Sequence, residues 1–254
     1  KVVRGFGVLN SNYKMHRKII SIIPARKGSK RFKNKNIASF CHYPLSLWTF
    51  NFSQNSDLFD VSYVNTDIPE LIHKISEYNN LEYCKRDINL SVDSATLLDV
   101  VRDTCIKKSL NSQDIIVLLP VTGLLRTYND ISAGIDTYLK GGGGTVVSVS
   151  ESSYPASMLW KKSDDNHLNP LFPDDFRRTT QKQNHFSTYM FNDLFVIDTV
   201  EGFLNPDRNL YGNDTRAVVT PQERFMPIDY EYQFFLAEKL FELGQGSGVY
   251  PKKC

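Results

Sequence analysis

Cysteine is scarce in this chain, and the spacing of its cysteines excludes two kinds of scaffold. The 254 residues contain four cysteines, and no two of them form a CxxC pair. Zinc ribbons and disulfide-stapled domains need cysteines in close, repeated pairs, so neither is expected here. Widely spaced thiols fit a reducing compartment, and we predict a cytoplasmic protein.

Long apolar runs and a strong charge of one sign are also missing. No stretch approaches the roughly 20 apolar residues that a membrane-spanning helix requires, so we expect a soluble protein with no membrane partner. The formal net charge of +2 is too small to indicate a nucleic-acid partner. The length suits a single α/β domain, which we predict over residues 15–243, between a disordered leader at 1–14 and a tail at 244–254.

Two common nucleotide-binding motifs are absent from the loop after the first predicted strand. The loop contains neither GxxxxGKS/T nor GxGxxG, which argues against a P-loop ATPase and against a dinucleotide-binding enzyme. The histidines lack the spacing of metal ligands, and the residues suggest no nucleophilic triad.

The sequence does contain a regular alternation of apolar runs and periodic segments. Apolar, largely β-branched runs predict strands at residues 19–23, 61–64, 81–84, 115–119, 145–149, 194–197 and 216–219. The segments between and after them predict helices near residues 45–52, 69–78, 95–108, 128–139 and 229–243. Such alternation predicts an α/β fold with a Rossmann-like, mainly parallel sheet flanked by helices.

Residues 151–191 interrupt this alternation. They are polar, contain prolines and scattered aromatic residues, and form too long a stretch for a simple loop in a compact domain. We predict an excursion with strands of its own that serves in dimerisation. On the last helix, Phe234 and Phe235 are both predicted to face the core.

A cluster of positive charge follows the first strand directly. The loop reads RKGSKRFKNK, with six Lys or Arg and no acid, at the position where open parallel sheets bind their ligands. Gly28 permits close backbone approach and Ser29 offers a hydroxyl, while Arg26, Lys30 and Lys35 can neutralise phosphates. The pattern predicts a site for a nucleoside triphosphate, with a solvated basic loop as the alternative.

The wider motif PARKGSKRFKNKN, residues 24–36, resembles the PARGGSKRIPRKN signature of the acylneuraminate cytidylyltransferases. Further similarities follow in order: NTD at 65–67 to STD, LLPVTGLLR at 118–126 to LLQPTSPLR, and PID at 227–229 to the metal-binding DID. The similarity spans about residues 18–243. It implies an enzyme that uses CTP and Mg²⁺ to activate a nonulosonic, sialic-acid-like sugar acid, with release of pyrophosphate, and that forms a homodimer.

The resemblance also implies roles for individual residues. The nucleotide would be held by Arg26, Gly28, Ser29, Lys30, Asn36, Arg86, Ala95 and Thr96. The sugar acid would be held by Thr122, Arg126, Lys182, Gln183, Tyr189 and Asn192. The catalytic residues would be Lys35, Arg26 and Asp229, with Lys35 stabilising charge on the phosphates, and the metal ligands would be Asp229 and Glu231.

The metal motif departs from the family pattern. Pro227 replaces the first aspartate of DID and cannot ligate a metal ion, so either Glu231 or Asp67 compensates or the affinity for the metal is reduced. For Asp229 the alternative role is to cap the last helix. Asp67 also faintly resembles the acidic motif of metal-dependent glycosyltransferases, a class that the phosphate loop disfavours.

The acceptor motifs depart further. Pro120, Lys182 and Asp193 replace the family's glutamine, arginine and glycine, and Lys182 loses the bidentate fork of arginine. Arg177 and Arg178 can supply that fork instead, with a charged turn as the alternative interpretation. Two alternatives therefore stay open: a cytidylyltransferase for another acidic sugar such as an octulosonate, and a degenerate homologue that binds CTP without turnover.

Overall fold

The computed structural model describes residues 17–29, 31–173 and 187–246. The strands are β1 (Ile19–Ala25), β2 (Ser39–Phe40), β3 (Tyr43–Pro44), β4 (Val61–Thr66), β5 (Leu81–Lys85), β6 (Ile115–Leu118), β7 (Val146–Glu151), β8 (Trp160–Lys162), β9 (Leu168–Pro170), β10 (Tyr189–Thr199) and β11 (Arg216–Thr220). The α-helices are α1 (Leu45–Gln54), α2 (Pro69–Ile75), α3 (Leu97–Lys107), α4 (Tyr128–Lys140), α5 (Val200–Leu204) and α6 (Glu231–Glu242). The predicted leader at 1–14 and most of the predicted tail lie outside the described residues.

A seven-stranded sheet in the order β11-β7-β10-β6-β1-β4-β5 forms the centre of the molecule. β1 pairs in parallel with β4 and β6, β4 pairs in parallel with β5, and β7 pairs in parallel with β11. β10 runs antiparallel to both of its neighbours, β6 and β7. The predicted mainly parallel α/β fold is confirmed.

Helices cover both faces of this sheet because successive residues of a buried strand point to opposite sides. On β1, Ile23 and Ala25 pack into one core with residues of α1, α2 and α4. Ile20 and Ile22 pack on the other face with residues of α3 and α5. Both faces of β1 are therefore buried, which explains its continuous apolar sequence.

The last helix packs beside the sheet in a third core, and one prediction about it is wrong. Phe234 and Phe241 of α6 contact Phe40 at ring-centroid distances of 5.4 and 5.6 Å. Phe235 was predicted to be buried with Phe234, but it is 55% exposed. Consecutive residues of a helix point about 100° apart, so the narrow buried stripe of α6 accommodates only one of the two rings.

The interrupting segment has strands of its own, as predicted. β8 and β9 form a separate two-stranded antiparallel sheet, and β10 begins at Tyr189 within the same segment. Residues 174–186 lie outside the described part of the chain. In the described ranges no helix is long and apolar enough to cross a membrane.

Candidate active site

The loop after β1 leaves the sheet at its carboxyl edge, where β1, β4, β5 and β6 end. Gly28 has a φ of +79°, a left-handed conformation that glycine adopts without steric penalty. Asn36 Nδ2 donates to the carbonyl oxygen of Arg26 at 2.8 Å, which ties the end of the loop to its beginning. The predicted phosphate loop is thus a hydrogen-bonded turn where parallel sheets bind ligands.

Asp67, directly after β4, joins the phosphate loop to the loop after β5. One carboxylate oxygen accepts from the backbone N–H of Lys27 at 2.6 Å, and the other accepts from the hydroxyl of Ser91 at 2.7 Å. Hydrogen bonds to a charged acceptor belong to the stronger class. Both carboxylate oxygens of Asp67 accept hydrogen bonds from these loops. This argues against Asp67 as the substitute for the metal ligand that is missing at Pro227.

Arg26 and Arg86 hold the loop after β5 in place. Arg26 lies 2.8 Å from the carboxylate of Asp93 and donates to the carbonyl oxygen of Ser91 at 3.1 Å. Arg86 is buried and donates from Nε and Nη2 to the carbonyl oxygen of Leu90 at 3.0 and 2.6 Å, and its burial lowers the pKa of the guanidinium. We call Asp67 and the loops at 26–36 and 86–96 the nucleotide side.

Thr96, predicted to bind the nucleotide, is the N-cap of helix α3. Its hydroxyl accepts from the backbone N–H of Asp99 at 3.2 Å, and the carboxylate of Asp99 accepts from the backbone N–H of Thr96 at 2.9 Å. This reciprocal pair is a capping box, which satisfies two amide groups at the start of a helix. Half-buried Ala95 precedes the cap, and both residues follow Asp93, which pairs with Arg26 of the phosphate loop.

Lys35 and Asp229 lie side by side at the carboxyl edge, as the motif order implies. Lys35 Nζ donates to the carbonyl oxygen of Ile228 and lies 3.7 Å from the carboxylate of Asp229. Burial lowers the pKa of Lys35, and the negative charge of Asp229 opposes that shift. Arg31 also lies 2.9 Å from Asp229. The carboxylate is thus held by two cations of the phosphate loop.

The alternative role of Asp229 as a helix cap is wrong. Helix α6 begins after Tyr230, and the side-chain oxygen of Gln233 accepts from the backbone N–H groups of Asp229 and Tyr230 at 2.8 and 3.0 Å. The carboxylate of Asp229 instead faces Arg31 and Lys35 and remains 39% exposed. Its oxygens are therefore open to a ligand.

The carboxylates near Lys35 suit a hard cation. Mg²⁺ is commonly held by one or two carboxylates together with phosphate oxygens and water, so Asp229 fits as one ligand. Glu231 is exposed in the first turn of α6, and in the described part of the chain no interaction joins it to Asp229. Across those same residues no group of three or more metal-ligating side chains is present.

Asp193 is a second carboxylate in this area. Partial desolvation by the surrounding protein raises the pKa of its carboxyl, and the negative charge of nearby Asp229 raises it further, while Lys35 opposes the shift. Water still reaches the side chain, which is exposed at the surface.

The remaining predicted acceptor residues are divided between surface and core. Tyr189 is 52% exposed at the start of β10, and Thr122 is half-buried in the loop after β6. Asn192 is buried, and its amide donates to the hydroxyls of Ser150 and Thr220 at 2.9 and 2.7 Å. We call the loop at 119–126 and residues 189–193 the acceptor side. Several predicted residues lie outside the described ranges: Lys30, Arg177, Arg178, Lys182 and Gln183.

Arg126, predicted to bind the sugar acid, is 2% exposed. Its Nη2 donates to the carbonyl oxygen of Pro120, and its guanidinium lies 5.8 Å from the ring centroid of Phe52. Nε and Nη1 have no hydrogen-bond partner within the described ranges. Burial lowers the pKa of this guanidinium. The side chain thus supports the loop after β6 from beneath, and contact with a surface ligand would require rearrangement.

Sequence reasoning did not assign Arg31 or Asp193 to the site. The sequence showed Arg31 as part of the basic cluster, but it did not show that Arg31 contacts Asp229. Asp193 was noted only as a replacement for the family's glycine. A non-glycine residue at a position that relatives fill with glycine was the available signal, because it indicates an unusual backbone conformation.

A mainly parallel sheet that carries a cationic, hydrogen-bonded loop at the carboxyl end of its first strand defines a nucleotide-binding α/β enzyme. A carboxylate beside the lysine of that loop adds the charges that nucleotidyl transfer needs. Residues 20–172 match the family model described as Cytidylyltransferase. The chain therefore belongs to the cytidylyltransferase family, which confirms the resemblance drawn from its motifs.

Curated relatives cover nearly the whole chain. A pseudaminic acid cytidylyltransferase of Campylobacter jejuni subsp. jejuni serotype O:23/36 is 25% identical over 232 residues, which cover 91% of this chain and 99% of that protein. A CMP-N,N'-diacetyllegionaminic acid synthase of Legionella pneumophila subsp. pneumophila is 27% identical over 231 residues, which cover 90% of this chain and 98% of that protein.

Solved structures share the fold at low sequence identity. A CMP:2-keto-3-deoxy-manno-octonic acid synthetase in complex with CTP superimposes with a TM-score of 0.63 at 11% identity, over 89% of this chain and 99% of that one. A 4-diphosphocytidyl-2C-methyl-D-erythritol synthase gives a TM-score of 0.64 at 10% identity, over 89% and 99% of the two chains. These likenesses confirm the nucleotidyltransferase type of sheet.

Proposed function

We propose that this protein transfers CMP from CTP to a nonulosonic acid, giving the CMP-sugar and pyrophosphate. The arrangement of Lys35 beside Asp229 at the end of the phosphate loop is the observation that carries the proposal. The names of the relatives, which are synthases for pseudaminic and legionaminic acid derivatives, support this class of acceptor.

In the proposed reaction the anomeric hydroxyl oxygen of the sugar acid bonds to the α-phosphorus of CTP. The bond from that phosphorus to the bridging oxygen breaks, pyrophosphate leaves, and the hydroxyl proton passes to solvent. Catalysis then rests on positioning and charge neutralisation. Lys35, held between Ile228 and Asp229, would stabilise negative charge on the phosphates. Arg26, Gly28, Ser29 and Asn36 would hold the triphosphate.

Mg²⁺ is the proposed cofactor, with Asp229 as a ligand. A bound divalent cation would neutralise charge on the phosphate oxygens. The partial exposure of Asp229 and its place beside the phosphate loop support this assignment. Arg31 and Lys35, which contact the carboxylate, would keep it oriented toward the nucleotide.

The identity of the sugar acid can be tested directly. Purified protein would be incubated with CTP and each of several nonulosonic and octulosonic acids, with and without Mg²⁺, and pyrophosphate release would be followed with mass detection of the CMP-sugar. We expect metal-dependent turnover of one nonulosonic acid. Turnover of an octulosonate alone would select the other acidic-sugar enzyme, and CTP binding without any product would select the degenerate homologue.

The protein is further proposed to act as a homodimer in a reducing cytoplasm. The interrupting segment exposes large apolar side chains at Leu168, Leu171 and Phe172, as a dimer contact would require. Light scattering during size-exclusion chromatography measures the mass, and substitution of Leu168 and Phe172 by Ser should shift it to that of the monomer.

The proposed reducing compartment concerns the cysteines. Cys41 and Cys105 are buried free thiols, and burial raises the pKa of each to about 12.

A further inference from the structure

Asp193 occupies a distorted position in β10 that the proposed mechanism does not use. The register of β10 against β7 shifts between Phe191 and Val196, so the intervening residues form a bulge, a feature that commonly redirects a side chain near a functional site. Within it, Asp193 has a φ of +55°. Few residues other than glycine adopt this left-handed conformation.

The neighbours of Asp193 are fixed in the core, whereas its own side chain is not. Asn192 is buried by its hydrogen bonds to Ser150 and Thr220. Leu194 is buried as well, and its backbone N–H donates to a serine hydroxyl of β7 at 3.1 Å. The carboxylate of Asp193 is exposed, and no hydrogen bond or ion pair to it is present among residues 17–29, 31–173 and 187–246. The bulge therefore projects this one side chain out of the sheet.

The bulge lies beyond the carboxyl end of β6. Pairing between the antiparallel strands β10 and β6 begins where Val196 stands opposite Leu118, the last residue of β6. Asp193 comes three residues earlier on β10, so it extends past that end. This is the edge at which Lys35 and Asp229 meet.

The loop after β6 contacts the surroundings of both Asp193 and Asp229. A Cβ atom on Gly123 would lie 2.6 Å from the carbonyl oxygen of Asp193, so the loop and the bulge are in close contact. The next residue, Leu124, shares a core cluster with Ile228. Both carboxylates therefore lie near the same short loop, close enough for the negative charge of Asp229 to raise the pKa of Asp193.

We propose that Asp193 supplies the second carboxylate for the divalent cation, beside Asp229, in place of the aspartate that the family carries where this chain has Pro227. The inference rests on the proposed nucleotidyl transfer. It explains two departures from the family motifs as one exchange: the carboxylate lost at Pro227, in the segment before α6, is regained at Asp193 in β10. Glu231, the ligand predicted from the sequence, is not needed in this arrangement.

The test measures metal binding without the sugar acid. Electron paramagnetic resonance of free Mn²⁺ gives the Mn²⁺ affinity of the protein in the presence of CTP, for the wild type, Asp193→Asn and Asp193→Gly. Both variants should fold, because Asn and Gly tolerate the left-handed conformation, and thermal unfolding checks this. We expect each to bind Mn²⁺ roughly 10–100-fold more weakly, while metal-free CTP affinity, measured by calorimetry in EDTA, stays within twofold.

A compensating variant makes the exchange itself testable. Combining Asp193→Gly with Pro227→Asp installs the family residues at both positions, and we expect Mn²⁺ affinity to return to within about threefold of the wild type, a difference of roughly 0.65 kcal/mol. Asp136→Asn, which removes an exposed carboxylate from α4, serves as the matched control and should leave Mn²⁺ affinity unchanged. Glu231→Gln should also leave it unchanged.

Two results would overturn the inference. Wild-type Mn²⁺ affinity in Asp193→Asn would show that the carboxylate is not a ligand, and loss of affinity in Glu231→Gln with none in Asp193→Asn would assign the second carboxylate to α6. Neither readout needs a sugar acid to be turned over. Failure of the acceptor panel would therefore contradict the proposed function while leaving the measured metal ligands in place.

Discussion

The nucleotide side and the acceptor side lie at the same edge of one sheet, but they use their polar side chains differently. On the nucleotide side, charged groups bind one another or the backbone: Asp67 bridges two loops, and Arg26 and Arg86 brace the loop after β5. On the acceptor side, Asp193 is exposed within a backbone bulge and Tyr189 projects from the start of β10.

This difference follows from what each side would have to bind. The family shares one nucleotide, and a site built for one ligand gains from side chains that are already fixed, because less ordering is required on binding. The acceptor differs among the relatives, which are named for different sugar acids. On the nucleotide side the chain keeps the family's Arg26, Gly28 and Ser29 and changes Lys27 and Lys33, whereas on the acceptor side it departs at Pro120 and Asp193.

The largest effect should come from the lysine that links the phosphate loop to Asp229. Lys35→Ala removes the cation that contacts Ile228 and Asp229, and we expect kcat to fall about 10²–10³-fold, as for loss of one group that stabilises transition-state charge. Steady-state pyrophosphate release at saturating CTP measures this.

Lys33→Ala is the matched control, since Lys33 is an exposed lysine of the same loop. It should keep kcat within about twofold, a difference under roughly 0.5 kcal/mol. Equal losses in the two variants would mean that the loop acts through its total charge, and the distinction between a fixed catalytic lysine and a solvated basic loop would disappear.

The next largest effect should come from the brace of the nucleotide side. Asp67→Asn keeps the shape but loses the charge that accepts from Lys27 and Ser91. We expect KM for CTP to rise about tenfold, in line with hydrogen bonds to a charged group, while kcat changes less. Asp57→Asn, at an exposed loop residue, is the control. A large fall in kcat at unchanged KM would place Asp67 at the reacting phosphates instead.

The strands and the phosphate loop were predictable because their signals are local. Ile19–Ala25 is a buried apolar run, and the charge cluster follows it directly. The antiparallel direction of β10, the burial of Arg126 and the approach of Asp193 to Asp229 were not predictable. Each depends on packing between segments far apart in sequence, which composition and periodicity do not encode.

The acceptor side can be tested at Arg126, whose predicted contact with the sugar acid conflicts with its burial. Arg126→Met fills a similar volume but removes one of the two donors to the carbonyl oxygen of Pro120, which keeps only the backbone N–H of Gly123, so we expect a loss of about 1–2 kcal/mol in the free energy of unfolding. Urea denaturation measures the loss, and KM for the sugar acid should stay within twofold. A large rise in that KM at unchanged stability would restore Arg126 to the acceptor site.

The smallest effect concerns the cap of helix α3 on the nucleotide side. Thr96→Ala should lower the free energy of unfolding by about 1 kcal/mol, the usual cost of losing an N-cap hydroxyl, and Thr96→Ser should not. Thr127→Ala removes the equivalent capping box of helix α4 and should cost about the same. Both alanine variants should keep KM for CTP within twofold. If Thr96→Ala alone raises that KM tenfold, the hydroxyl of Thr96 contacts the nucleotide as well as capping the helix. The side chains of the nucleotide side would then be less completely fixed by hydrogen bonds within the protein, and the contrast with the acceptor side would be smaller.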